Sequence, residues 1–301
     1  MFANLAVAGG AHFCIPFVGF LNSAAPALTG VRWVSGCSGG ALVAAAWVLD
    51  VPPQTVMSIL SDMMGEGILG GASLPLLWDR FGMVDVELEV GASARRMVTA
   101  GVTRWKLMRN GDPPGDADAG DTTMLELAKL TGRSLAIGVC DVGRGFSDAF
   151  ITAETHPDVP VWKALAASCA IPFAFTPVTI GTEMYCDGCF DPVAGIPGRA
   201  PPEGVVDTLL LQVGKVSNRK ERESSIPATI GEFGKGFLGK MFDRACSCPA
   251  SARTATVDVA PWTGDVALPM ISGISGDRLW EAYRHGARRG KEFLEDVNKG
   301  A

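Results

Sequence analysis

At 301 residues and 48% hydrophobic content, the chain is long and apolar enough to bury a sizeable core in one large domain or two ordinary ones. A formal net charge of −6 with no long basic block argues against a nucleic-acid partner. No apolar run reaches the roughly 18 residues of a transmembrane helix, and the first residues carry no basic, signal-like stretch, so a cytoplasmic protein with reduced thiols is expected.

In chain order, residues 5–8 form a short β-type run that ends in Gly9-Gly10, and residues 11–21 follow as a helix that is apolar nearly all round. A second β-type run at 31–34 leads into Gly36-Cys37-Ser38-Gly39-Gly40, and an alanine-rich helix occupies 41–49. Strand, helix, strand makes a parallel βαβ unit and predicts a layered α/β fold. Gly36 to Gly40 spell G-x-S-x-G, the strand-to-helix turn that holds a serine nucleophile. Such a turn forces Ser38 into a strained backbone, and the flanking glycines let helix and strand approach closely. The helix that starts after Ser38 aims free N–H groups at the position of a developing oxyanion. The competing reading is an ordinary glycine turn, so the motif needs support elsewhere in the chain.

Further along, residues 55–64 continue as helix, 65–78 form a glycine-rich apolar wall or lid, and 87–107 form a helix with Val90, Ala94, Met97 and Val98 on one face. A polar turn spans 110–121. Thr122 is the expected N-cap of the next short helix. Strands are expected at 134–140 and 145–152, and a helix at 160–170. A hairpin then pairs 175–180 with 183–186 over Gly181-Thr182. Residues 205–213 read as a strand covered on both faces, and 254–259 as another. A terminal amphipathic helix at 276–298 carries Leu279, Tyr283, Ala287, Phe293, Leu294 and Val297 on one stripe. The eight cysteines include Cys246-Ser247-Cys248 and Cys186-Asp187-Gly188-Cys189, but no histidine lies near them, so no metal is expected.

A serine hydroxyl needs a base. The chain has three histidines. His12 lies beside the first glycine turn, His156 in a polar loop and His285 in the terminal helix; none follows a strand as an α/β-hydrolase histidine would. Asp187, at the end of the second hairpin arm, is the alternative base, and Gly188 leaves room for an approaching side chain. Taken alone, Asp187-Gly188 reads as an ordinary turn.

Together these motifs resemble the patatin-like phospholipases: a glycine pair after the first strand, G-x-S-x-G after the second, and a strand ending in Asp-Gly some 150 residues later. Phe146-Ser147-Asp148-Ala149-Phe150, the stretch 157–161 and Ala167-Ser168-Cys169-Ala170-Ile171-Pro172 extend the resemblance, which covers roughly residues 3–213 with gaps around 65–120. It implies a three-layer α/β/α fold with a mostly parallel central sheet, as one domain over 1–301 with a C-terminal extension at 214–301. It further implies hydrolysis of phospholipid or neutral-lipid acyl esters through an acyl-enzyme, with Ser38 as nucleophile, Asp187 as base and no cofactor. The family's G-x-G-x-x-G supplies oxyanion-hole N–H groups and falls on residues 9–14, so Gly9, Gly10 and Ala11, together with Gly39, are the expected donors. Ala11 and Cys14 depart from that pattern, and Cys189 departs from the small residue of the Asp motif. If Ala11 had to adopt a positive φ, the hole would be strained, which keeps open a lipid-binding or regulatory protein with weak turnover. A small-ester esterase or thioesterase with the same dyad is a third reading. The segment 230–242, with Phe233, Phe237, Leu238, Met241 and Phe242 between Lys235 and Lys240, is the expected transient membrane contact if it is not core.

Overall fold

The computed structural model describes residues 2–65, 82–110, 119–188, 208–213, 253–257 and 273–299. β1 (Asn4–Val7) leads through a 3-10 turn, Ala11–Cys14, into α1 (Ile15–Ala24). β2 (Trp33–Cys37) turns directly into α2 (Gly39–Val48), and α3 (Pro53–Met64) follows. After β3 (Gly82–Val84), a single π turn at Glu87–Gly91 and α4 (Ala92–Asn110) run on from one another, and Val90 in the turn and Ala94, Met97 and Val98 in the helix are buried along the expected face. Next come α5 (Met124–Thr131), β4 (Ser134–Asp141), β5 (Ser147–Ile151) and α6 (Val161–Ser168). β6 (Phe173–Phe175), β7 (Val178–Ile180) and β8 (Glu183–Asp187) precede β9 (Thr208–Val213), β10 (Arg253–Val257) and α7 (Gly276–Asn298).

β10, β9, β1, β2 and β4 lie side by side, all parallel, which is the α/β architecture expected from the alternation of strands and helices. β1, β2 from Val34 on, and β9 from Thr208 to Leu211 carry buried residues throughout, as strands covered on both faces must. β5 and β8 run antiparallel to β4, and β7 pairs antiparallel with β8 as the expected hairpin.

Four expectations are corrected. β2 runs on through Ser35 to Cys37, so the strand contains the first two residues of the serine motif. Phe175 is not part of the hairpin arm; it belongs to β6, which pairs with β3 in a separate two-stranded sheet. The N-cap of α5 is Thr123, not Thr122: only from 123 does Glu126 fall three residues on, and the two close a capping box. Thr122 instead donates its hydroxyl to the Ala119 carbonyl.

The fully buried line of α7 is shifted onto small residues, with Tyr283, Phe293 and Val297 of the expected stripe half-buried against the core beside it. Leu279, Ala282, Gly286 and Gly290 are its buried residues, and the helix lies backbone to backbone on α1. A Cβ at Gly286 would strike the Pro16 carbonyl, and one at Gly290 would stand 2.5 Å from the Phe20 carbonyl. Phe293 closes the seam against Phe2 and Phe20. The expected lid at 65–78, beyond Gly65, and the segment 230–242 lie outside the described residues.

Candidate functional site

Ser38 sits between β2 and α2 with φ 54 and ψ −134, in the strained conformation that a strand-to-helix elbow imposes on a non-glycine residue. The two glycines around it are required by contact. A Cβ on Gly36 would lie 2.7 Å from the Ala41 Cα, inside the first turn of α2. One on Gly40 would lie 2.6 Å from the Val7 carbonyl and meet that of Ala8 as well. The start of α2 is thereby seated on the carboxyl end of β1, where Gly9 and Gly10 begin, so the glycine turn and the serine turn are brought together.

Ala11 opens a 3-10 helix, whose backbone is right-handed. An alanine in that place costs the backbone nothing. Cys14, the other departure from the glycine pattern, donates its thiol to the Ala8 carbonyl at 3.4 Å and ties the turn back to the end of β1. His12 is buried in the same turn, and burial pushes its pKa down to about 4, so its imidazole is neutral at pH 7.

Asp187 ends β8 and is fully buried, with 0% of its surface exposed. Its position follows from β4. A strand has two hydrogen-bonding edges. β5 occupies one of them along Ile137 to Asp141. β2 and β8 must therefore share the other: β2 pairs up to Cys37 opposite Gly138, and β8 arrives from the opposite direction with Asp187 opposite Val139. The two strands meet end to end at consecutive positions of β4. Ser38 and Asp187 thus leave the sheet side by side. The Cys37 thiol reaches Asp187 Oδ1 at 3.9 Å, which bridges the two motifs directly.

Gly188 makes room, but for backbone instead of the side chain expected: a Cβ there would stand 2.6 Å from the Gly138 carbonyl. Cys189 lies outside the described residues.

One residue without an assigned role in the sequence also belongs here. Ser168, fully buried at the end of α6, accepts a hydrogen bond from the Ser38 backbone N–H at 2.8 Å and donates its own to the Gly138 carbonyl at 2.6 Å. Two residues on, the Ala170 carbonyl accepts the Asp187 N–H at 3.0 Å. The run from α6 to β6 therefore ties down both candidate residues. The signals were a serine in an otherwise apolar helix end and a glycine in the middle of β4, which marks close backbone approach.

The other two histidines are placed elsewhere. His156 bonds Thr155 Oγ1 through Nδ1 (2.9 Å) and the Tyr185 hydroxyl through Nε2 (3.2 Å); burial lowers its pKa, against the opposing charge of Glu183. His285 lies on α7, the helix that packs along α1. Among the described residues, no group of three or more metal-ligating side chains gathers, and no helix is long and apolar enough to cross a membrane.

A family model described as patatin-like phospholipase matches residues 5–190, the span that holds both candidate motifs. Among solved structures, VipD from Legionella pneumophila superposes with a TM-score of 0.55 at 12% identity, over 98% of this chain and 67% of that one. A chain of the heterodimeric ExoU–SpcU complex from the type III secretion system of Pseudomonas aeruginosa gives 0.52 at 18% identity, over 98% and 51%. At such identities the likeness is one of fold, and the chain spans only about half the length of the second. The comparison with curated proteins gives no match.

Proposed function

The chain belongs to the patatin-like phospholipase family, and from that premise we propose that it hydrolyses lipid acyl esters through a Ser38–Asp187 dyad. The observation that supports this reading is the end-to-end meeting of β2 and β8 on one edge of β4, where β2 leads into the strained Ser38 and β8 ends in the buried Asp187. Asp187 takes the proton as Ser38 Oγ attacks the acyl carbonyl. The N–H groups of Gly9, Gly10, Ala11 and Gly39, at the start of α2 and the facing turn, hold the oxyanion. Collapse passes the proton from Asp187 to the leaving alcohol oxygen and leaves an acyl-serine. Water, deprotonated by Asp187, then releases the fatty acid.

The substrate is a phospholipid or neutral lipid met at a membrane surface, in transient contact and without a metal cofactor. The competing reading, a lipid-binding or regulatory protein of weak turnover, rested on Ala11 and Cys14; the 3-10 turn at Ala11–Cys14 and the Cys14–Ala8 hydrogen bond support the hydrolase reading over it. Labelling by a fluorophosphonate probe, with hydrolysis of phospholipid vesicles and of short soluble esters, tests the proposal. Ser38→Ala abolishes both readouts, and Asp187→Asn lowers hydrolysis by about 1,000-fold or more, since dyad members act as a unit. Wild-type rates in Asp187→Asn, with loss in His12→Ala, would replace the dyad by a histidine mechanism. Turnover of short esters alone would make the protein a small-ester esterase.

A further inference from the structure

The pairing of β2 with β4 stops one rung short of its own pattern. In their parallel register the Ser134 N–H donates to the Arg32 carbonyl, and the pairs run on from Trp33–Ser134 to Cys37–Gly138. Carried on at every second residue, that alternation aims the Ser38 N–H at the Gly138 carbonyl. Ser168 Oγ stands in this rung instead. It accepts the Ser38 N–H at 2.8 Å and donates to the Gly138 carbonyl at 2.6 Å, and Ser168 is fully buried. A hydroxyl at a helix end ordinarily bonds back to its own helix, as that of Thr131 does to the Leu127 carbonyl at the end of α5. The hydroxyl of Ser168, the last residue of α6, crosses to two other elements.

We infer that Ser168 is a positioning residue for Ser38: its hydroxyl, inserted between the elbow and β4, ends the ladder at Cys37 and sets the direction in which Ser38 Oγ leaves the sheet. This rests on the proposal that Ser38 is the nucleophile. Without the hydroxyl, two buried backbone groups lose a partner, and the shortest repair is to close the missing rung. Closing it draws Ser38 towards β4 and turns the elbow away from φ 54 and ψ −134. The bridge also spends the Ser38 N–H, so the oxyanion donor at the start of α2 is the Gly39 N–H and not that of the nucleophile itself. Two residues after Ser168, the Ala170 carbonyl holds the Asp187 N–H at 3.0 Å. One short segment thereby sets nucleophile and base relative to each other, and a slip at Ser168 is felt as a misalignment of the pair.

The test varies the hydroxyl at nearly constant volume: Ser168→Ala against the native serine, and Ser168→Val against Ser168→Thr. Sites are titrated with a fluorophosphonate. The labelling rate, kcat per titrated Ser38 and KM for a short soluble ester are then measured well below each melting temperature. Ser168→Ala lowers labelling rate and kcat by about 100-fold, the cost of a reacting atom misplaced by about 1 Å, with KM within about twofold. Ser168→Thr, which keeps the hydroxyl, stays about tenfold or more above Ser168→Val in kcat. A serine that serves folding alone gives another pattern: fewer titrated sites and a lower melting temperature, with kcat per site in Ser168→Ala within about twofold of wild type. That result overturns the inference, and so does an equal kcat in the threonine and valine variants. Where the bulkier pair does not fold, the serine–alanine pair decides alone. Ser38→Ala runs alongside: if it still hydrolyses the ester, the nucleophile assignment fails and Ser168 loses its role with it. If Ser38→Ala is inactive and Ser168→Ala keeps its rate, only the role of Ser168 is lost.

Discussion

Four described non-glycine residues carry positive φ, Ser38, Asp50, Phe146 and Phe173, and the first and last differ in what the strain does. Ser38, at φ 54, is fixed by contacts on every side: Gly36 against α2, Gly40 against β1 and Ser168 on its N–H. Gly40→Ala would push its new methyl into the Val7 and Ala8 carbonyls, and rigid backbone leaves no way to yield. The expected outcome is loss of fluorophosphonate labelling together with a melting temperature several degrees lower. Phe173, at φ 68, is 49% exposed three residues after Ala170, whose carbonyl holds the Asp187 N–H. A bulky left-handed residue costs about 1–3 kcal/mol, more than the entropy that a glycine adds to the unfolded chain. Phe173→Gly should therefore raise the unfolding free energy by about 1 kcal/mol, measured by denaturant titration. A lower value would mean that the ring contributes packing worth more than the strain.

At the scale of elements, the terminal helix is held by what its contact face lacks. Gly286 and Gly290 let the backbone of α7 lie on that of α1, and Gly19 does the same from the other side against the Tyr283 carbonyl and Ala287 N–H. Because α1 begins just after the glycine turn, this seam also supports the candidate oxyanion donors. Gly286→Leu would force the helices apart, at a cost of about 1–3 kcal/mol or more from overpacking. A circular-dichroism melt should show the loss, with the acyl-hydrolase rate falling alongside it. The same substitution at Arg288, on the exposed side, should leave both unchanged. Thr123→Ala, which opens the capping box of α5, is expected to cost about 1 kcal/mol with no effect on kcat, since α5 stands away from the dyad.

For the molecule as a whole, acid sensitivity has an identifiable contributor. His12 is buried with its pKa lowered from 6.5 to about 4. Between those two values the unfolded chain binds a proton that the folded chain refuses. Stability is therefore fully present above pH 6.5, falls as the pH drops, and levels off below 4 as far as this group is concerned. The contribution is about 3 kcal/mol, and His12→Gln should flatten that part of the stability–pH curve measured by denaturant unfolding. An unchanged slope would assign the acid sensitivity to carboxylates. Since the proposed oxyanion is held by backbone N–H groups, hydrolysis should persist in excess EDTA; inactivation reversed by calcium would reveal a metal requirement.

The α/β alternation, the parallel βαβ opening, the serine elbow and the Asp-Gly strand end were all legible in the sequence. Each is a local pattern, set by apolar periodicity and by glycines where a Cβ cannot fit. What lay beyond the sequence was how distant segments share an edge. Ser38 and Asp187 are 149 positions apart in the chain, and only the pairing of β2 and β8 along β4 makes them neighbours. Ser168 and Gly138 carried a signal, a lone hydroxyl in an apolar helix end and a glycine inside a strand, but not its meaning, because the two hydrogen bonds of Ser168 run to partners that only the tertiary fold supplies. The same reason explains the errors. Gly188 clears a strand's backbone instead of a side chain, and β6 pairs with β3 because long-range partners, not local propensity, decide where an extended segment binds.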